Sequence, residues 1–294
     1  RVDPVLPPNL IPEHSAVRDQ ALWIGVHELP LAEIGRIVVV GCGKAGAGMV
    51  QAVEKALGPE LLQAKQVTGL VNVPADCVVD TAAVELVAAR PAGVNEPTPE
   101  GVAATERMVR LVESLCPDDL CLCLISGGGS ALLELPSEGF ALADLVELTR
   151  SLSAAGATIG ELNAVRRPLS RVKGGGLARA VRAGRLVSLI LSDVLGDDLA
   201  TIASGPTVVA EPDPELAAAT LYDLGVADTP AGRRALSVLQ QDRRPLSKRT
   251  QPSCEVTNLL IGNNAAAVDA AGVAAERLGY QHAMHVAAPP EGVA

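Results

Sequence analysis

The sequence predicts an α/β protein with a parallel sheet that helices cover on both faces. Short apolar runs, bounded by Gly, Pro or Asp, alternate along the chain with longer Ala-rich segments. Strands of a parallel sheet are buried on both faces, so they appear as continuous apolar runs in the sequence. Glycine-rich loops follow several of these runs, and such folds bind ligands at the C-terminal ends of their strands.

The predicted elements follow from where the apolar and Ala-rich segments begin and end. The predicted strands are residues 36–41, 67–73, 84–88, 120–126, 186–193, 258–262 and 282–287. The predicted helices are residues 45–57, 101–115, 142–155, 174–183, 215–224 and 265–278. Residues 228–256 are rich in Pro and charge, and they predict a surface excursion that contains one short helix.

The composition allows a large core and excludes some classes of partner. Of 294 residues, 48% are hydrophobic and 20% charged, so the chain has enough apolar surface to fold. With one Trp, two Tyr and one Phe, the core is built mainly from Ala, Val, Leu and Ile. The net charge is −10, and no basic stripe carries interleaved aromatics, which argues against nucleic acid as a partner.

The cysteines and the hydropathy predict a soluble protein of the reducing cytoplasm. Six cysteines occur without a C-x-x-C pair and without His at ligand spacing, so neither a zinc site nor a disulfide frame is expected. Cys121 and Cys123 lie in an apolar run and are expected to be small core residues. No apolar run approaches the roughly 18 residues of a membrane span, and no signal peptide is visible.

The first glycine loop contains a G-x-G-x-x-G pattern formed by Gly41, Gly43 and Gly46. This pattern is the fingerprint of dinucleotide binding, in which backbone N–H groups hold a pyrophosphate. Such sites also need an acidic residue at the end of the second strand, about 20 positions on. The candidate, Asp76, lies three residues beyond that strand, so the fingerprint is incomplete.

A lysine inside the same loop points to other chemistry. The backbone alone suffices to hold a pyrophosphate, which leaves Lys44 unexplained by a dinucleotide site. A Walker A loop is excluded because Lys44 is followed by Ala45 rather than by Ser or Thr. The motif SGGGSAL, residues 126–132, fails as a nucleophile elbow, because G-x-S-x-G would need Gly in place of Leu132.

Several glycine segments are candidates for phosphate binding, because glycine lets backbone N–H groups approach an anion closely. The alternative that these glycines only form tight turns and bind no ligand stays open. The candidate phosphate-binding or nucleotide-binding residues are Gly41, Gly43, Ser126, Gly127, Gly128, Gly129, Ser130, Lys173, Gly174 and Gly175.

Basic residues accumulate just before the triple glycine at residues 174–176. Arg166, Arg167, Arg171 and Lys173 lie there, and a proline between them breaks helical continuity. Cations beside a glycine-rich helix start suit a polyanion, although Arg171 also fits a solvated helix face. Arg166 is therefore a candidate substrate-binding residue. Asn263, in the last glycine loop, is another.

Three acidic residues follow the strand predicted at residues 186–193. Asp193 ends that strand, so its carboxylate is expected at the edge of the sheet where ligands bind. A carboxylate there either holds Mg²⁺ or accepts a proton. Asp197 and Asp198 lie beyond a glycine, where a role in capping the next segment is natural.

Three long blocks resemble the signature of the glycerate 2-kinase family, also called type II glycerate kinases. They are LISGGGSALLELP, AGATIGELNAVRRPLSRVKGGGLA and LILSDVLGDDLATIASGPT. GCGKAGAG is similar to the first glycine loop of that family, and IGNNAAAVDAA to a later block. Some members carry the older label hydroxypyruvate reductase.

The resemblance implies a Rossmann-like three-layer α/β/α domain with a mostly parallel sheet. It also implies ATP-dependent phosphorylation of D-glycerate at the 2-hydroxyl, with Mg²⁺ as the divalent cation. In that family's pattern, Lys44 matches the active-site lysine, Asp193 matches the acidic residue, and SGGGSA matches the glycine loop at the site.

One departure from the family concerns the C-terminal domain, which carries a catalytic arginine in the family and has no counterpart here. Residues 1–294 are therefore expected to form one N-terminal kinase domain that is inactive alone. Two alternatives stay open: an NAD(P)H-dependent hydroxypyruvate reductase and a non-catalytic nucleotide-binding fragment. The expected partner is a small molecule, with neither nucleic acid nor membrane, and a homo-oligomer stays open.

Overall fold

The structure is a computed structural model, and it describes residues 6–210, 213–241 and 251–281. Its strands are β1 Ser15–Arg18, β2 Ala21–Ile24, β3 His27–Pro30, β4 Ile37–Cys42, β5 Thr68–Pro74, β6 Val84–Arg90, β7 Leu120–Ile125, β8 Arg185–Leu191 and β9 Glu255–Gly262. Its helices are α1 Pro7–His14, α2 Gly46–Ala64, α3 Pro99–Glu113, α4 Gly129–Leu132, α5 Leu142–Ala154, α6 Ile159–Arg166, α7 Gly176–Ala180, α8 Pro214–Asp223, α9 Pro230–Gln241 and α10 Asn264–Arg277. Across these three ranges, no helix is both long and apolar enough to cross a membrane.

Six parallel strands form the central sheet, in the order β6-β5-β4-β7-β8-β9. Numbered along the chain within this sheet, the order is 3-2-1-4-5-6, which is that of doubly wound dinucleotide-binding folds. The predicted α/β class is therefore confirmed, and six predicted strands correspond to β4 to β9. The predicted strand at 282–287 lies outside the described residues.

Alternate residues of each central strand enter opposite hydrophobic clusters. Val38 and Val40 of β4 belong to the cluster under α3, α4 and α7, whereas Val39 faces the cluster under α1 and α2. Cys121 and Cys123 of β7 are fully buried free thiols in the first of these clusters, so their predicted core role is confirmed. Helices thus cover both faces of the sheet, which explains why its strands are apolar throughout.

A small antiparallel sheet, β1-β2-β3, is absent from the predicted elements. Arg18 pairs with Ala21, so Asp19 and Gln20 form a two-residue hairpin loop, with φ of 52° and 63°. Such loops usually contain Asn-Gly or Asp-Gly, because both central residues need positive φ. The Asp-Gln pair gives no such signal, which is why this hairpin was missed.

The helix expected within residues 228–256 is present as α9, but its predicted position on the surface is wrong. Within it, α9 buries Ala231, Ala235 and Val238 in a third cluster formed with α5, α6 and α8. Their spacing is that of one helix face, so the sequence did contain the signal, which the surrounding Pro and charge obscured. The helix α6 was also missed, although Thr158 and Glu161 form a capping box at its start.

Candidate anion-binding site at the carboxyl edge of the sheet

Two glycine loops meet where the strand order reverses, between β4 and β7. The N–H of Lys44 donates to the carbonyl of Gly127 at 3.0 Å, and the N–H of Ala45 donates to Ser126 Oγ at 3.0 Å. Gly43 has a φ of 137°, and a Cβ there would collide with Ser126. The loop after β4 and the loop after β7 therefore pack as one unit at the switch point, where α/β folds bind ligands.

The G-x-G-x-x-G loop does not present free N–H groups. Besides the bonds of Lys44 and Ala45, the N–H of Gly43 donates to the carbonyl of Asn72 at 3.1 Å, and that of Gly46 donates to Gly43 at 3.1 Å. Each N–H from 43 to 46 thus has a protein acceptor, whereas a pyrophosphate needs unoccupied donors. This arrangement, like the misplaced Asp76, differs from a dinucleotide site. The predicted phosphate contacts of Gly41 and Gly43 gain no support from it.

Lys44 lies over the second loop. Its side chain is exposed, and its Cε is 3.2 Å from the position that a Cβ on Gly128 would occupy. Among the described residues, its ammonium has no hydrogen-bond or ion-pair partner. The lysine is therefore held along the glycine loop by its stem, while its charge stays available.

Asp193 lies on the neighbouring glycine of the same loop. It follows β8 and is exposed, and a Cβ on Gly127 would collide with its carboxylate. In the part of the chain that the structure describes, this carboxylate accepts no hydrogen bond. The structure thus brings together Lys44, Asp193 and the loop at 126–130, as the sequence predicted, with the base and the acid on successive glycines.

The other two acids are already committed to protein contacts. Asp198 accepts hydrogen bonds from the N–H of Ala200 and the hydroxyl of Thr201. The bond from the Thr201 hydroxyl is the main cause that lowers the pKa of Asp198, and the bond from Ala200 lowers it further. Asp198 thus stabilises the turn before the next short helix, whose N-cap is Thr201 and carries no side-chain cap, so Asp198 is a turn residue rather than the predicted N-cap. Asp197 accepts a hydrogen bond of 2.6 Å from Asn263, whose own oxygen caps α10 by accepting the N–H of Ala266. The amide of Asn263 is thus occupied at both ends, although it is predicted to bind substrate.

Lys173 and Arg166 lie beneath the glycine loop rather than on it. Lys173 is 1% exposed, and its ammonium donates to the carbonyls of Ser130 at 2.8 Å and Leu133 at 3.0 Å. It also forms an ion pair of 3.2 Å with Glu134. Burial lowers the pKa of Lys173 to about 8, and Glu134 opposes that shift. Arg166 donates to the same Ser130 carbonyl at 3.2 Å, so both cations hold the loop from below.

The triple glycine has no donors left for a ligand. The N–H groups of Gly174 and Gly175 donate to the carbonyls of Ser204 and Gly205 at 3.0 and 2.7 Å, and that of Gly176 donates to Lys173 at 3.0 Å. The predicted phosphate-binding segment at 173–176 is therefore engaged by the protein itself. Its glycines dock another turn of the chain instead.

That turn is held in an unusual backbone conformation. Ala203, Ser204 and Gly205 have φ of 51°, 64° and 64°, and left-handed geometry is unfavourable for residues with a Cβ. The hydroxyl of Ser204 donates to Asn163 at 2.9 Å and lies 3.0 Å from the hydroxyl of Ser130. The turn thus supports the C-terminal end of the glycine loop, a role that the sequence alone did not indicate.

Arg90 is the other site residue that was missed. It ends β6 and is 4% exposed, and its Nη2 lies 3.1 Å from the position of a Cβ on Gly128. In the sequence it is one arginine that closes an apolar run before a proline, which is a weak signal. The structure places it beside the stem of Lys44.

Magnesium fits this site only as an ion held jointly by one protein carboxylate and the phosphates of a ligand. Within the described ranges, no cluster of three His, Cys, Asp or Glu residues could hold a metal ion. Mg²⁺ in phosphoryl-transfer enzymes is held by one or two carboxylates together with substrate phosphates and water. The unpaired carboxylate of Asp193 therefore fits a magnesium ion that arrives with a nucleotide.

The fold and this edge of the sheet define a doubly wound α/β protein whose switch point is suited to a small anion. The chain belongs to the family described as Domain of unknown function (DUF4147), whose profile matches residues 1–239. It is 39% identical to the glycerate kinase of Rattus norvegicus over 270 residues, which cover 87% of this chain and 50% of that protein. It is 42% identical to a putative hydroxypyruvate reductase of Agrobacterium vitis over 215 residues, or 72% of this chain and 47% of the relative.

A solved structure extends the comparison to the fold. The crystal structure of glycerate kinase from Thermotoga maritima matches with a TM-score of 0.71 and 31% identity, covering 95% of this chain and 60% of that one. The resemblance to the glycerate 2-kinase family is therefore confirmed. The chain spans about half the length of the curated relatives it matches.

Proposed function

We propose that this chain carries a phosphoryl-transfer site of a glycerate 2-kinase, which transfers the γ-phosphoryl group of ATP to the 2-hydroxyl of D-glycerate. The names of the relatives support this reaction. One observation of the structure carries it: the side chains of Lys44 and Asp193 lie on Gly128 and Gly127, and neither has a partner in the described part of the chain. Phosphoryl transfer depends mainly on positioned charges of this kind.

Each group has a role in this proposal. The ammonium of Lys44 neutralises negative charge on the substrate or on the phosphoryl group in transfer. The N–H groups of Gly127 and Gly128 have no protein acceptor among the described residues, so they are available to phosphate oxygens. Asp193 either accepts the proton of the attacking hydroxyl or binds Mg²⁺, and both roles need its free carboxylate. When bound, Mg²⁺ would neutralise phosphate charge.

The cell compartment and partner class form part of the same proposal. All six cysteines are free thiols, which suits the reducing cytoplasm. A net charge of −10 suits a small anionic substrate only where cations are concentrated, as they are around the glycine loop, and it disfavours nucleic acid.

The second candidate is hydroxypyruvate reductase, which the name of the Agrobacterium vitis relative favours. A nicotinamide cofactor would use the G-x-G-x-x-G loop to hold its pyrophosphate. The occupied N–H groups at 43–46 count against this use, because each would have to leave its protein acceptor first.

Two assays on the full-length protein separate these candidates. The first mixes the protein with ATP, Mg²⁺ and D-glycerate, measures ADP, and identifies the phosphorylated carbon by phosphorus NMR. The second mixes it with NADH and hydroxypyruvate and follows NADH. We expect ADP and 2-phosphoglycerate in the first assay and no NADH consumption in the second. NADH consumption without phosphoglycerate would replace the proposal with the reductase, and ATP binding without either reaction would indicate a non-catalytic protein.

A further inference from the structure

Arg90 reaches the glycine loop from β6, which is an edge strand of the central sheet. It is the last residue of β6, where it pairs with Pro74 of β5, so two strand ends separate it from the loop after β7. Its Nη2 nevertheless lies 3.1 Å from the Cβ position of Gly128, the glycine that Lys44 Cε approaches to 3.2 Å. Two cationic side chains thus converge on one glycine.

The guanidinium of Arg90 is buried without a counter-charge. The residue is 4% exposed, and its Nε is fully enclosed without a hydrogen-bond partner. Across the described ranges, no carboxylate or carbonyl accepts a bond from it. By contrast, the buried ammonium of Lys173 has Glu134 and two carbonyls around it. An unpaired buried charge costs several kcal/mol, so its retention indicates that an anion completes the site.

The charges of both cations affect the pKa of the thiol of Cys77. Burial raises the pKa of Cys77, Asp76 adds to that rise, and the charges of Arg90 and Lys44 both oppose it. This agrees with the convergence of Arg90 and Lys44 on Gly128. Asp76, the acid nearest to this thiol, is exposed and forms no ion pair with either cation in the described part of the chain.

We propose that Arg90 and Lys44 together bind the carboxylate of the acceptor substrate, and that Arg90 makes the site specific for 2-hydroxy carboxylic acids. This assignment rests on the proposed kinase function. A planar guanidinium binds a carboxylate through two parallel N–H···O bonds, and so orients it, which an ammonium cannot do.

The position of Asp193 favours a carboxylate rather than a phosphate beside Arg90. Asp193 lies on Gly127, and the two cations lie on Gly128, whose Cα is about 3.8 Å from that of Gly127. A hydroxy acid anchored at Gly128 by its carboxylate would therefore place its 2-hydroxyl toward Asp193. The phosphoryl group then enters from the Asp193 side, where Mg²⁺ would accompany it.

The test compares Arg90→Met, Arg90→Lys and the control Arg110→Met in the full-length protein. Arg110 is 63% exposed on α3 and pairs only with Glu106 in the described structure. We expect Arg90→Met to raise the KM for D-glycerate by about 10²-fold, as expected when one partner of a buried charge pair is removed. Its KM for ATP should stay within about twofold of the wild type. Arg90→Lys should recover part of the affinity, and Arg110→Met should change neither KM.

Thermal unfolding without substrate separates a binding role from a structural one. Replacing an unpaired buried charge with an apolar side chain of similar size should leave the melting temperature unchanged or raise it. A lower melting temperature with equal changes in both KM values would show that Arg90 is structural and would overturn the proposal.

Calorimetric titrations identify which anion Arg90 binds. D-glycerate, hydroxypyruvate and inorganic phosphate are titrated separately into the wild type and Arg90→Met. We expect the two carboxylates to lose affinity in the variant while phosphate does not. Loss of phosphate binding alone, or unchanged glycerate binding, would overturn the proposal. If the wild type makes no phosphoglycerate, the kinase proposal fails, and hydroxypyruvate binding still decides the role of Arg90.

Discussion

Two glycine-rich segments of this chain have similar sequences and opposite uses. SGGGS at 126–130 follows β7 and leaves the N–H groups of Gly127 and Gly128 without protein acceptors among the described residues. The stem of Lys44 and the carboxylate of Asp193 lie against these two glycines. KGGG at 173–176 precedes α7, and all its glycine N–H groups donate to protein carbonyls. The position of a glycine cluster relative to the sheet edge therefore decides whether it faces a ligand or the protein.

The lysines that contact the two segments, Lys44 over the first and Lys173 in the second, differ in the same way. Lys44 is exposed and has no ionic partner in the described structure, whereas Lys173 is 1% exposed and paired with Glu134. An exposed charge on a loop loses little hydration when the protein folds, and it stays available to a ligand. A buried, paired charge instead fixes the loop beside it, because removing one partner of a buried pair is strongly destabilising.

The largest expected effect is on turnover, when the free acid of the site loses its charge. Asp193→Asn should lower glycerate phosphorylation by about 10³-fold, the middle of the range for losing a general base, with little change in stability. Asp198→Asn is the matched control, because its carboxylate accepts hydrogen bonds within its own turn. It should cost about 1 kcal/mol of stability and leave turnover nearly unchanged. The reverse result, with Asp198 essential for turnover and Asp193 dispensable, would show that Asp193 is not the acid of the site.

A comparable effect on stability is expected at the buried lysine. Lys173→Met removes the nearer of the two cations that pair with the buried carboxylate of Glu134, at 3.2 Å, and leaves Arg166 at 3.8 Å. This loss should lower the free energy of unfolding by about 3 kcal/mol. Denaturant titration measures this. Lys55→Met, at an exposed position on α2, is the matched control and should change stability little. The double variant Lys173→Met with Glu134→Leu should regain much of the loss. Wild-type stability in Lys173→Met would mean that this segment is not a scaffold.

A smaller effect is expected at the exposed lysine, and on activity alone. Lys44→Ala should cut turnover by about 10²-fold, as expected for the loss of one preorganised charge. Its thermal stability should match that of the wild type, because the ammonium has no partner within the described residues. Lys55→Ala serves as the control in the same steady-state assay. Near-normal turnover in Lys44→Ala would remove the lysine from the site.

Stability should also depend on pH through the buried lysine. The pKa of Lys173 is about 8 in the folded protein and 10.5 ordinarily, so the unfolded chain binds more protons between these values. Stability from this group should therefore rise as the pH increases from 8 to 10.5. Buried cysteines with raised pKa, such as Cys42, act in the opposite direction, so the stability difference between wild type and Lys173→Met is measured. A difference that is flat or falls over this window would contradict the lowered pKa of the buried Lys173.

The sheet and half of the site were predictable from local sequence. Buried parallel strands are local apolar runs, and their C-terminal ends meet at one edge, so Lys44, Asp193 and the loop at 126–130 could be placed together. The acceptor of the Gly174 N–H could not be predicted, because it is the carbonyl of Ser204, 30 residues away along the chain. The turn that contains Ser204 has a left-handed backbone, but its first two residues are not glycine, so the sequence gives no sign of it. Arg90 was missed because its role depends on the lack of a carboxylate partner around it in the folded, described structure, which the sequence does not reveal.

Hydrogen exchange at the two glycine segments tests the central claim most directly. Without ligand, amides at 127–128 should exchange quickly and those at 174–176 slowly, because only the latter donate to protein carbonyls. Adding Mg²⁺, ADP and D-glycerate to the full-length protein should slow exchange at 127–128 and leave 174–176 unchanged. Ligand-induced protection at 174–176, with none at 127–128, would show that the ligand binds the triple glycine and would contradict this account of the site.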